Sequence, residues 1–400
     1  MVRGQRISGQ ALPFLASVLA ATTFLTPPAH ANPTGATLAA GQATIAAPSA
    51  SSTIITQSSQ KAIINWSSFS IPQGSAVQVN QPGASAVLLN RVPNGPASYL
   101  YGRLSANGQV YLINPAGIVV GSGAQISAAQ VLLSTAGIGD ANFLSGNLRF
   151  DVPGKPGASV ANHGAITATG GAAILAGEQV RNDGVIVAAP GTVVLGAAKT
   201  YAIDFSGDGL LKFAVATPVG QAPADGGALI ENSGTISAQG GLVLLTAAAA
   251  KGVLDNVINT SGIIEATSVA KQDGKIVLLA AGGGTTVSGT LDASGKSAGE
   301  TGGAVAVLGD SVSLASGARI DVSGDAGGGT ALVGGNFHGA GPELNAQATS
   351  VAHGSVILAD ALTSGDGGKV AVWSDGTTKF DGTISARGGA QGGNCGFVET

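Results

Sequence analysis

The chain has little of what most soluble domains rely on. Of its 400 residues one is cysteine and one methionine; aromatic side chains make up 4% and charged ones only 10%, against about 25% charged in an ordinary globular domain. With Cys395 alone, no intrachain disulfide can form. A net charge of -4 leaves no basic field for nucleic acid and no Lys/Arg-rich helix for a bilayer. The four histidines, His30, His163, His338 and His353, are too scattered for a zinc site. There is no Gly-x-Ser-x-Gly elbow and no P-loop. Beyond residue 31 no apolar run approaches the ~18 residues a spanning helix needs, so no integral membrane segment is expected once a leader is removed. Asp321, Asp325 and Gly327–Gly329 miss the Gly-Gly-x-Gly-x-Asp spacing of calcium-binding repeats and read as a solvated turn. No cofactor or metal is expected.

What is abundant is glycine, 64 residues, and it recurs with a period. From about residue 160 a unit of the form x-x-Gly-x-(Ile/Leu)-x-Ala, a polar turn and a short apolar run repeats. Asn162-His163-Gly164-Ala165-Ile166-Thr167-Ala168 is followed about 20 residues later by Asn182-Asp183-Gly184-Val185-Ile186-Val187-Ala188, then by Asn232-Ser233-Gly234-Thr235-Ile236-Ser237-Ala238. Short strands with one apolar face bury it only by stacking on their neighbours. The period therefore predicts an all-β, right-handed parallel β-helix, with Asn162, Asn182 and Asn232 at equivalent corners where they can form a hydrogen-bonded ladder. At roughly 20 to 25 residues per coil the rod is expected to reach about 70 to 90 Å. A closed β-barrel fits less well, because it prefers longer antiparallel hairpins. Residues 32–58, poor in large side chains, are expected to form a strand-poor cap; 201–223 reads as an extra-helical hairpin and 322–350 as a turn-rich insertion.

The first 31 residues have the pattern of a Sec signal peptide: Arg3 and Arg6, an apolar stretch from Ala11 to Leu25, and Ala29-His30-Ala31 for cleavage. The expected organisation is then a core domain over 32–160, continuing coils over 161–290 with the insertion near 201–223, and further, truncated repeats over 291–400.

The most specific run is Gly102-Arg103-Leu104-Ser105-Ala106-Asn107-Gly108-Gln109-Val110-Tyr111-Leu112-Ile113-Asn114-Pro115-Ala116-Gly117. Asn114, Pro115, Ala116 and Gly117 suit a type I β-turn between two strands. Upstream stand Asn65-Trp66-Ser67-Ser68-Phe69, Gln81-Pro82 and Asn90-Arg91-Val92; downstream stand Ser134-Thr135-Ala136-Gly137-Ile138 and Phe143-Leu144-Ser145-Gly146-Asn147-Leu148. This ordered set resembles the haemagglutination-activity domain at the amino end of two-partner-secretion exoproteins, the filamentous-haemagglutinin-like adhesins. That family usually has Asn-Pro-Asn-Gly where this chain has Ala116.

The resemblance implies an exoprotein of a Gram-negative bacterium that crosses the periplasm and ends secreted or on the cell surface. Its partner would be the POTRA domains of a dedicated outer-membrane β-barrel transporter, with a host-cell receptor or glycan as an onward partner. Asn114, Pro115, Ala116 and Gly117 would form the secretion motif, read by the transporter or needed as a turn. Asn65, Trp66, Phe69, Asn90, Arg91, Gly102, Asn107 and Gly108 would be structural. A chain without disulfides suits threading through a pore, although a long β-stack needs no staples in any case. The repeat-dominated sequence favours an adhesin scaffold over the alternative, a haemolysin or contact-dependent toxin. A carbohydrate-active β-helix enzyme is disfavoured, because Asp183, Asp273, Asp310, Asp325, Asp366, Asp375 and Asp381 sit singly at presumed corners rather than in pairs.

Overall fold

The computed structural model describes residues 1–2, 32–204, 212–269 and 272–400. The leader and its cleavage site lie outside the described residues, as do parts of two loops.

One coil shows how the sequence period becomes structure. Ser159–Asn162, Ala165–Ala168 and Ala172–Gly177 form three strands on faces A, B and C, and the next coil places Gln179–Asn182, Val185–Ala188 and Thr192–Ala197 on them in parallel register. The chain is a parallel β-helix. Face B is a sheet of thirteen strands. Faces A and C join into one sheet because Lys275–Val287 and Ala304–Leu314 run unbroken round the corner between them, with a register shift at Gly284.

Face B is built from alternating residues, and Ile126, Ile166, Ile186, Ile236 and Ile264 stack in register along it. All five are 2% exposed or less, each contributing about 2 kcal/mol of burial. Face C differs: its strands carry consecutive apolar residues such as Ala172-Ala173-Ile174-Leu175. Ala173 and Leu175 fill the bore, while Ile174 belongs to a second core outside it. Strands covered on both sides need apolar residues at every position.

That second core is roofed by excursions leaving the corner between faces C and A. The helix Asp140–Ser145 brings Phe143, and Leu148–Phe150, Thr200–Asp204 and Lys212–Thr217 form a three-stranded antiparallel sheet. Tyr201 stacks between Phe150 at 4.8 Å and Phe213 at 4.5 Å, and its hydroxyl lies 2.6 Å from Ser134 Oγ. Burial pushes the Tyr111 and Tyr201 phenols well above their ordinary range. Lys61 Nζ donates to the Phe143 and Leu144 carbonyls at the end of the short helix, the first of which also accepts from the Gly146 amide. The extra-helical hairpin expected near 201–223 is thus present as the Thr200–Asp204 and Lys212–Thr217 strands, with a third strand from an earlier excursion.

Three expectations are corrected. The cap is not strand-poor: Thr37–Ala40 and Ala43–Ser49 lie antiparallel on Lys61–Asn65 and Ser52–Gln57, the latter already the first parallel strand of face B. Backbone pairing alone suffices there, since these two cap strands are largely exposed. Residues 322–350 contain the face-C strand Thr330–Val333 and the face-A strand Ala348–Val351; Ala331, Val333 and Val351 are small, but they reach the bore. The rod is also shorter than expected. Twelve parallel strands on face B at ~4.8 Å per step span about 53 Å, because the excursions consume chain without adding coils.

The asparagine ladder forms. Asn162 Nδ2 donates to Asn182 Oδ1 at 2.8 Å, Asn182 Nδ2 to Asn232 Oδ1 at 2.7 Å, and Asn232 Nδ2 to Thr260 Oγ1 at 3.2 Å. All four side chains are buried. Replacing Asn182 by Ala leaves a donor and an acceptor without partners, so about 2 to 4 kcal/mol of stability should be lost. A denaturant titration of the purified domain measures it.

Candidate functional site

Asn114, Pro115, Ala116 and Gly117 form a corner between face C, where Gln109–Ile113 ends, and face A, where Ile118–Val120 begins. The Gly117 amide donates to the Asn114 carbonyl at 3.0 Å, closing the β-turn. Asn114 Oδ1 accepts from the Ala116 amide at 2.9 Å, so the side chain supports the turn from within. Its Nδ2 donates to the Pro96 carbonyl at 2.8 Å and to Ser98 Oγ at 3.0 Å, in the preceding coil. Its amide donates to the Ser134 carbonyl at 3.0 Å, in the following one. Asn114 is fully buried, while Pro115 and Ala116 are half-buried. Gly117 has φ +113°, and a Cβ there would lie 3.3 Å from the Ser159 carbonyl oxygen, so glycine is required.

The same corner gathers part of the remaining set. Trp66 Nε1 donates to Asn90 Oδ1 at 3.0 Å, and Asn90 Nδ2 to the Tyr111 carbonyl at 3.4 Å. Trp66 and Phe69 meet edge to face at 5.4 Å and are both buried, which leaves no face of Trp66 open to a sugar. Arg91 Nε donates to Asn65 Oδ1 at 2.9 Å, and its guanidinium pairs with Asp140 at the start of the short helix. The corner is a vertical seam through the first coils.

Gly102, Asn107 and Gly108 lie on the other two corners. A Cβ at Gly102 would sit 2.2 Å from the Ser75 carbonyl oxygen. Asn107 exchanges two hydrogen bonds with the Gln81 backbone, at 2.7 and 2.8 Å, and the Gly108 amide donates to Gln81 Oε1 at 3.1 Å. Buried Gln81, with its Nε2 also on Gln57 Oε1 and the Ala86 and Gln109 carbonyls, is a hub whose role, unlike its place in the ordered set, sequence reasoning missed. Its only signal was its place before Pro82. Ser98 and Asp140 were missed likewise.

With the fold and seam established, relatives can be placed. Residues 29–292 match the family model of the TPS secretion domain. The chain belongs to that family. It is the amino-terminal secretion domain of a two-partner-secretion exoprotein, a family of secreted or cell-surface proteins of Gram-negative bacteria whose partner is an outer-membrane transporter. The family is one of secretion domains, not of enzymes. The chain resembles the crystal structure of the HMW1 secretion domain from Haemophilus influenzae, with a TM-score of 0.78 and 32% identity over 92% of this chain and 94% of that one. It is 32% identical over 257 residues, 62% of its length, to a heme/hemopexin-binding protein of Haemophilus influenzae strain Rd, and 45% identical over 95 residues, 24% of its length, to another heme/hemopexin-binding protein from that species. These matches span 27% and 10% of the relatives' own lengths.

Of the residues considered for calcium, Asp325 and Gly327–Gly329 are partly exposed, as a solvated turn requires, but Asp321 is not. Asp321 is buried and accepts from Lys296 Nζ at 2.9 Å, Arg319 Nη2 at 3.0 Å and the Ser323 amide at 3.0 Å. Burial pulls its carboxyl up, but the Lys296 hydrogen bond and charge and the Ser323 hydrogen bonds together outweigh it and hold the group below the usual carboxylate range. Asp325 instead accepts from the Gly299 amide and Thr363 Oγ1. A depressed folded-state pKa contributes stability above the unfolded value of about 3.9, lost as pH falls through the folded value. The destabilisation by Asp321→Asn should therefore be full at pH 7 and shrink below about pH 4, as denaturation midpoints across that range will show.

Proposed function

We propose that the transporter reads Asn114, Pro115, Ala116 and Gly117 through its POTRA domains while the chain is still unfolded in the periplasm. The observation that carries this reading is the burial of Asn114. Once the corner closes, the side chain spends its hydrogen-bonding groups on Pro96, Ser98 and Ala116, and a partner can reach it only before that. Recognition then ends as folding begins, and the folded coil has nothing left to rebind. Ala116, half-buried and held through its amide, supplies no side-chain hydrogen bond to the turn, which supports a signal centred on Asn114 and Pro115.

The inferred route is Sec export with removal of residues 1–31, periplasmic capture, and folding at the cell surface. The β-helix would serve as the scaffold of an adhesin, with a host-cell receptor or glycan bound by the longer protein. The names of the two relatives favour a second cargo, haem or hemopexin. A haemolysin or contact-dependent toxin secreted by the same route remains the alternative use of the same amino-terminal domain. Catalysis is not part of the reading. Asp183 pairs with His163, Asp321 with Lys296 and Arg319, and Asp360 with Arg387, so these carboxylates are engaged in structural contacts.

Cells carrying the transporter will test the signal. Replacing Asn114 and Pro115 together by alanine should lower the secreted fraction about tenfold or more, a loss of at least 1.4 kcal/mol in recognition, with synthesis unchanged. Asn182→Ala, outside the motif but also destabilising, should still be secreted. Equal loss in both variants would reduce the motif to a stability element.

A further inference from the structure

The outer side of face C carries one uninterrupted apolar column. Leu132, Ile174, Val194, Leu244, Val277 and Ala306 follow one another in register. The first three are fully buried beneath the helix and the antiparallel sheet. From Leu244 onward the column is half-exposed, with Leu279 beside it. The roof stops partway along the column it covers.

The last strand of the roof is Lys212–Thr217. Phe213 and Val215 face the second core, and Phe213 lies against Gly196, in the coil of Val194. Among the described residues this strand pairs only with Thr200–Asp204, so its other edge offers unpaired backbone groups. Strands in a sheet are ~4.8 Å apart, the same as the rise between coils. A fourth strand would fall over the coils of Leu244 and Val277, continuing an interface the chain already makes with itself.

Two exposed lysines border this place, one of them, Lys212, opposite Asp204 across the strand pair. Lys212 lies at the edge strand and Lys275 flanks Val277; both are exposed, and neither has an ion pair among the described residues. We propose that the exposed part of face C, from Leu244 to Leu279, docks an extended, alternately apolar and acidic strand of a partner protein, added to the edge of Lys212–Thr217. The backbone edge supplies the hydrogen bonds, the apolar column takes alternate side chains, and Lys275 selects acidic residues between them.

A labelled heptapeptide alternating valine and glutamate is the probe, titrated against the domain by fluorescence anisotropy. Saturable binding is expected, weakened by salt. Val277→Lys and Lys275→Glu should each weaken it about tenfold. Both side chains point away from the bore, and an unchanged thermal melt checks that each variant is folded. Leu279→Lys replaces either one that is not. The proposal is overturned if the folded variants bind as well as the parent. It is equally overturned if a peptide of the same composition with its valines and glutamates segregated binds as tightly, or if no binding is seen.

Discussion

Everything in this molecule depends on parallel strands meeting in register from one coil to the next. Register turns a scatter of small apolar residues into continuous columns of isoleucine and leucine through the bore. It also brings Asn182 within 3 Å of both Asn162 and Asn232, though they are 20 and 50 residues away in the chain. With so few aromatic and charged residues, no single side chain is large enough to hold such a fold. Repetition supplies what size does not.

The Asn114 corner is a special case of the same rule. Its hydrogen bonds go to the coil before and the coil after, so the turn is finished only when three coils are in place. A residue whose partners come from neighbouring coils is free in the unfolded chain and occupied in the folded one. That difference gives a transporter something to recognise that is lost once the protein is outside.

The columns of the bore and the corner turn were legible in the sequence, because each is written locally: alternation for face B, Asn-Pro-Ala-Gly for the turn, and Asn-x-Gly for the ladder. The second core was not. Phe143, Phe150, Tyr201 and Phe213 come from separate excursions, and nothing near any one of them signals the others. The consecutive apolar residues of face C were the one visible hint that those strands are covered on both sides. Asp321 was misread for the same reason, since Lys296 lies 25 residues away and meets it only through coil stacking. Gln81 was read as part of an ordered family set, but its four-way role depends on Asn107, Gly108 and Gln57 arriving from neighbouring coils.

The antiparallel cap gives the stack a direction. Ala43–Ser49 runs opposite to the strand beneath it, and Pro48 and the register shift after Ala46 interrupt the ladder another chain would need. The first strand of face B or C to emerge therefore finds an end already covered behind it. New coils can be laid down only ahead, as bricks are laid on a foundation course. The same closed end keeps two finished rods from joining head to head into a fibre.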